Sequence, residues 1–224
     1  VINAHRERIR LLEYHTYLFA QQIGIHAIVN ILTVKKDGKE LLPGLIESGF
    51  SPKVMANIKD DGFSIDCLRT IQAIPSSYLQ YYYCREAKLQ HQREDPKTRA
   101  QVCMEIEEQL LEIYKDENIV TKPALLDKRG GHKYSLVAVS LIDALANDKR
   151  DVQVVNVKNN GTLPFMADDD IVEVAAVIGS DGAHPVPVTE HINDHIIGLM
   201  RVVKTYEKYT VKAAIKGSDE DAIK

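Results

Sequence analysis

The sequence predicts an α+β fold in which mixed or antiparallel strands pack with long helices, and three observations lead there. β-Branched runs bounded by turn residues occur at 24–34, 152–157 and 171–178. Apolar side chains recur at helical spacing over 98–114 and 192–215. The chain has 224 residues, 45% of them hydrophobic and 27% charged, enough to bury a core in the manner of a globular protein. Residues 1–224 are read as a single domain.

Residues 3–22 place Ile9, Leu12, Leu18 and Phe19 on a rough stripe among Arg6, Arg8 and Arg10, which predicts an amphipathic N-terminal helix over 1–22. Residues 24–34 read as one buried strand that ends at the turn Lys35-Lys36-Asp37-Gly38. Short helices follow over 39–48 and 60–70, separated by Gly49 and Pro52, with Asp61 or Ser64 as caps. Residues 98–114 carry Val102, Ile106, Leu110 and Ile113 on one face with Glu105, Glu107 and Glu108 between them, an amphipathic helix. A glycine-centred loop, Arg129-Gly130-Gly131-His132, leads to a helix from Tyr134 to Asn147 with Ser135 as its cap. The strand at 152–157 stops at the turn Asn159-Asn160-Gly161, and the strand at 171–178 is ended by Gly182 and Pro185. The last helix places Ile196, Leu199, Val203 and Tyr206 on one face.

Bulk properties exclude several classes. A formal charge of −4 and a pI near 6.1 offer no footprint for nucleic acid or an anionic membrane surface. Three cysteines, Cys67, Cys84 and Cys103, form neither a disulfide framework nor a CxxC zinc motif, so a reducing cytoplasm is the simplest compartment. No apolar run reaches the roughly 18 residues of a membrane span, and charges stand where a secretory segment would be apolar.

The segment richest in chemistry is Ile74-Pro75-Ser76-Ser77-Tyr78-Leu79-Gln80-Tyr81-Tyr82-Tyr83, followed by the charged stretch that ends in Thr98-Arg99-Ala100. A phenol needs a partner when buried, and acts as a base when a cation or metal lowers its pKa. The segment is therefore an interface or the wall of an active site. Gly130 and Gly131 form either a tight loop or an anion-binding nest, and neither a Walker loop nor GxGxxG is present. His26 lies on an apolar strand, where a core histidine is commoner than a metal ligand. His184, His191 and His195 read as surface residues, Asp168-Asp169-Asp170 as a solvated loop, and Glu173 as the polar face of a half-exposed strand.

Taken as an ordered set, these segments resemble glycoside hydrolase family 4, and within it the 6-phospho-β-glucosidase branch more than the α-glucosidase or α-galactosidase branches. The matching pieces are the tyrosine segment, Thr98-Arg99-Ala100, Lys128-Arg129-Gly130-Gly131 with Tyr134-Ser135, Val154-Val155-Asn156-Val157 with Asn159-Asn160-Gly161, Val172-Glu173-Val174 and Lys204-Thr205-Tyr206-Glu207. The resemblance implies the C-terminal substrate and oligomerisation domain of a lactate/malate dehydrogenase-like fold, with NAD held by an N-terminal Rossmann domain that this chain lacks. It implies cleavage by NAD oxidation of the sugar at C3, polarisation of the new carbonyl by manganese or another divalent metal, deprotonation at C2 by a tyrosine, and elimination, a route outside the two-carboxylate scheme. Carried on to matching positions, the base is Tyr78, the group that binds the phosphorylated β-glucoside is Arg99, and the metal ligand is His26. The family's Gly-Leu-Asn-His motif corresponds to Gly24-Ile25-His26-Ala27, with the histidine one place early, and its Cys-Asn motif is missing. The expectation is a homo-oligomeric domain, inactive without a Rossmann-domain partner. The alternative is a non-catalytic self-association module derived from this family.

Overall fold

In this computed structural model the described residues are 18–25, 28–48, 62–129 and 134–223. Their organising feature is an antiparallel hairpin. Strand β1 (Leu18–Ile25) pairs with β2 (Ile28–Lys36) from Leu18↔Lys36 to Ile25↔Ile28, with a bulge at Gln21/Gln22. Residues 18–22, read from sequence as the end of a helix, are therefore strand; the remainder of that predicted helix lies outside the described residues. The run read as one strand over 24–34 belongs to two. Gly24 permits the pairing, because a Cβ there would stand 2.7 Å from Val29 Cγ2 and 2.8 Å from the Ile28 carbonyl oxygen.

The strand order is β3-β2-β1-β6-β5, where β3 is Lys39–Glu40, β5 Asp151–Lys158 and β6 Ile171–Gly179. Strand β4 (Ile74–Pro75) adds to β2, and β7 (Gly182–Pro185) to β6. Every pairing is antiparallel. Gly182 and Pro185 thus bound a short edge strand, not merely a break. The fold is α+β with an antiparallel sheet, as the sequence predicts.

The period of two divides the sheet into two faces. On one, Ile23, Ile25, Leu32, Val172 and Val174 pack with Ile196 and Met200. On the other, Ala20, Ile31 and Val34 meet Leu42 and Ile46 of α1 (Leu42–Glu47) and Leu68 and Ile71 of α2 (Ile65–Ile71). Ser64 caps α2 by accepting from the Cys67 amide. Then come the short α3 (Gln80–Tyr83), α4 (Arg85–Glu94), α5 (Arg99–Ile113), α6 (Leu125–Arg129) and α7 (Tyr134–Ala146). Helix α5 begins at a capping box: Thr98 Oγ1 accepts from the Gln101 amide and Gln101 Oε1 from the Thr98 amide. Ser135 lies inside α7, not at its cap. Helix α8 (Asp194–Lys216) buries Ile196, Met200 and Lys204, whereas Tyr206, expected on the core face, is 70% exposed. The short α9 (Asp219–Ile223) packs back on α8.

Candidate functional site

The tyrosine segment is fastened to the sheet before it reaches Tyr78. Strand β4 pairs Asn30↔Pro75 and Ile31↔Ile74, and the Ser76 amide donates to the Val29 carbonyl at 2.8 Å. Pro75 fits because this short outer strand makes few ladder bonds. A 3₁₀ turn over Ser77–Leu79 then turns the chain, with the Leu79 amide donating to the Ser76 carbonyl. Across residues 73–80 every side chain is buried except that of Tyr78. Local geometry therefore presents one phenol from an otherwise sealed segment.

Burial pushes the Tyr78 phenol up from its ordinary value, and the neighbouring phenols of Tyr134 and Tyr81 push it the same way. No cation among the described residues draws it down, so at neutral pH this phenol keeps its proton. Tyr134, the first residue of α7, is named in sequence only as part of the motif Lys128-Arg129-Gly130-Gly131 with Tyr134-Ser135, with no role at the site. Its position just beyond the Arg-Gly-Gly motif was the available signal.

The other tyrosines divide. Tyr83 packs beside the α1/α2 core, edge-on to Phe63 and Tyr82, and burial lifts its phenol to about 12. Tyr81 and Tyr82 are exposed, and His195, an exposed residue, lies with its ring 5.9 Å from that of Tyr82.

Arg99 occupies the first position of α5 and is exposed. Its Nη2 donates to the backbone carbonyls of Lys128 and Arg129, both at 3.2 Å. Both carbonyls belong to the last two residues of α6. The structure thus joins two motifs that are 29 and 30 positions apart in sequence. A cavity of about 510 Å³ opens beside Arg99, lined also by Tyr81, Lys88, His91 and Lys97.

Glu173 departs from expectation. It is 2% exposed, because β6 lies between β1 and β5, and it accepts from Gln22 Nε2 at 2.8 Å. Burial raises its carboxyl to about 7, with the Gln22 hydrogen bond opposing the shift. Asp168 and Asp169 are solvated as predicted, but Asp170 is buried, accepting from the Ala167 amide and paired with Lys208.

His26, Gly130 and Gly131 lie outside the described residues. Among the described residues, no three His, Cys, Asp or Glu side chains group together as a metal centre requires. Nor do the all-antiparallel pairings provide the parallel β-α-β crossover that holds a dinucleotide. The described residues fit neither a metal nor NAD. No helix among them is long and apolar enough to cross a membrane.

Residues 26–224 match the family described as "Family 4 glycosyl hydrolase C-terminal domain". The chain is similar to a probable 6-phospho-β-glucosidase of Bacillus subtilis, 35% identical over 209 residues, covering 91% of this chain and 47% of that protein. It is 33% identical over 207 residues to a 6-phospho-β-glucosidase of Escherichia coli, covering 89% and 46%. The chain thus spans about half the length of these relatives. A solved 6-phospho-β-glucosidase of Thermotoga maritima, with manganese, NAD+ and glucose-6-phosphate, superposes with a TM-score of 0.81 at 26% identity, covering 99% of this chain and 52% of that one. On these matches and this fold, the chain belongs to the family 4 glycosyl hydrolases, in the part of them that forms the C-terminal domain.

Proposed function

We propose that this chain is the substrate-binding C-terminal domain of an NAD- and metal-dependent 6-phospho-β-glucosidase, acting in the cytoplasm with a dinucleotide-binding partner. The observation that carries this reading is the presentation of Tyr78 alone from the buried segment 73–80, in a chain whose relatives are 6-phospho-β-glucosidases. Tyr78 is the base that takes the proton from C2 of the sugar. Arg99, anchored through one nitrogen, directs the rest of its planar fork at the phosphosugar, a geometry suited to phosphate oxygens. Three unbridged cysteines agree with a reducing compartment. The raised Tyr78 phenol also supports inactivity of the chain alone, since the charge that would activate it must come from elsewhere. His26 remains our candidate metal ligand.

The test is hydrolysis of a chromogenic 6-phospho-β-glucoside with NAD, manganese and reductant, by the chain alone and after addition of the dinucleotide-binding half of a relative. Turnover only in the second mixture is expected. Turnover by the chain alone would refute the incompleteness.

A second reading, self-association, is favoured by α7. This 13-residue helix carries one charged side chain, Asp143, and exposes Leu136, Val139 and Ile142 by 62%, 64% and 63%. A helix apolar around its circumference is ordinarily covered. The same face of a second copy would cover it without desolvating a charge, giving a homo-oligomer with or without catalysis. Sedimentation of the chain and of Ile142→Glu decides: the variant should be monomeric at concentrations where the parent is dimeric or larger.

A further inference from the structure

Helix α3 is a single turn, and a turn that short does not hold its conformation by its own hydrogen bonds. Its direction must come from what it touches, and so must the direction of the Tyr78 phenol just before it. Upstream of Tyr78 the chain is fixed by β4 and by the bond from the Ser76 amide to the Val29 carbonyl. Downstream it is fixed by rings. Tyr83 stands edge-on to Phe63, with centroids 6.2 Å apart and planes at 75°, and edge-on to Tyr82 at 5.0 Å and 82°. His195 closes the set: its imidazole lies 5.9 Å from Tyr82 at 33° and 5.7 Å from Tyr83 at 49°. Each separation falls in the range where aromatic rings attract one another, about 4.5 to 7 Å.

His195, which the sequence reads as a surface residue, is itself held in place. It is the second residue of α8, and the Oδ1 of Asn193, the N-cap, accepts from the His195 amide at 2.9 Å. The Nδ2 of the same Asn193 donates to the Thr70 carbonyl of α2 at 3.0 Å. One turn inward, Ile196 and Met200 seat α8 in the core. The first turn of α8 is thus tied to α2 by its cap and to the core by its apolar face. From that fixed place the imidazole meets α3 on two rings at once. Tyr78 lies between this clamp and the β4 anchor, so loss of either frees one side of the segment that presents it.

We propose that His195 is a positioning residue for Tyr78: by stacking on Tyr82 and Tyr83 it sets the direction of α3, and through α3 that of the Tyr78 phenol. The link to chemistry rests on the reading of Tyr78 as the base. The hold on α3 does not.

Amide hydrogen exchange on the 224-residue chain reads the hold directly. In His195→Ala the amides of residues 80–84, among them that of Cys84, which donates to the Gln80 carbonyl, should exchange severalfold faster, while those of α5 stay unchanged. His195→Phe keeps a ring and should restore the protection. In the assembly with a dinucleotide-binding partner, given NAD, manganese and a 6-phospho-β-glucoside, His195→Ala should lower kcat at least about tenfold with KM changed by less than about threefold. His195→Phe should recover most of that loss. In a Tyr78→Phe background the alanine substitution should change kcat by less than about twofold, because residues that act as a unit are not additive. Exchange equal to that of the parent in a folded His195→Ala overturns the proposal, and so does faster exchange with kcat unaltered. A full loss from His195→Ala on top of Tyr78→Phe overturns it as well, since the histidine would then act elsewhere. If Tyr78→Phe alone leaves kcat unaltered, the base reading is what fails, and the exchange result still decides whether His195 holds α3.

Discussion

The guanidinium of Arg99 donates to the backbone carbonyl of Arg129 at 3.2 Å, tying the start of α5 to the end of α6. The same nitrogen reaches the Lys128 carbonyl, so one side chain closes the last turn of α6. An ammonium is a point charge on a flexible stem and does not reproduce this fork. Arg99→Lys should therefore raise amide hydrogen exchange across Leu125–Arg129 severalfold while leaving α8 unchanged. Because Arg99 is exposed, global stability should fall by less than about 1 kcal/mol. Exchange in α6 equal to that of the parent would show that the bond does not hold the helix.

Glu173 provides a pH signature. Its folded-state pKa, about 7, stands above the ordinary 4.5, so the folded chain binds the proton more tightly than the unfolded one. The contribution is fully present below pH about 4.5 and is lost as pH rises through 7. Glu173→Gln keeps the shape and removes the titration. Relative to the parent, the variant should gain about 2 kcal/mol between pH 5 and 8, by the conversion of a pKa shift to free energy. Denaturation curves at the two pH values check this, and a variant whose stability tracks the parent at both would contradict the buried carboxyl.

Asn159 holds the loop between β5 and β6. Fully buried, it donates through Nδ2 to the carbonyls of Leu163, Met166 and Ala167, each at 3.1 Å, and accepts from the Leu163 amide at 2.8 Å. Asn160 and Gly161 follow in the left-handed region, with φ of 41° and 83°, as the turn requires. Asn159→Ala leaves these groups unpaired and should cost about 3 kcal/mol in urea denaturation. Asn159→Asp should cost more, because a carboxylate would face three carbonyl oxygens. A loss below about 1 kcal/mol for the alanine variant would remove Asn159 from this role.

The parts of the fold visible in sequence are those whose burial is decided locally. The spacing of Val102, Ile106, Leu110 and Ile113 locates α5, and the β-branched run 171–178 locates β6. Residues 18–22 misled because a loose helical stripe is a weak local preference, which pairing with β2 overrides. Glu173 misled for a related reason: its alternation with Val172 and Val174 suggests a solvated face, but an inner strand has neighbours on both sides. Tyr78 and Arg99 enter as candidates through the motifs that contain them. The nearness of Tyr134 to Tyr78 is not legible in sequence, since tertiary packing sets the two phenols beside each other.

The central claim is that Tyr78 is the base. In the assembly of this chain with a dinucleotide-binding partner, supplied with NAD, manganese and a 6-phospho-β-glucoside, Tyr78→Phe deletes one oxygen and preserves the packing of the ring. The account predicts that kcat falls at least about 100-fold, the lower range for loss of a general base, with KM changed by less than about threefold. A kcat within about twofold of the parent would contradict it.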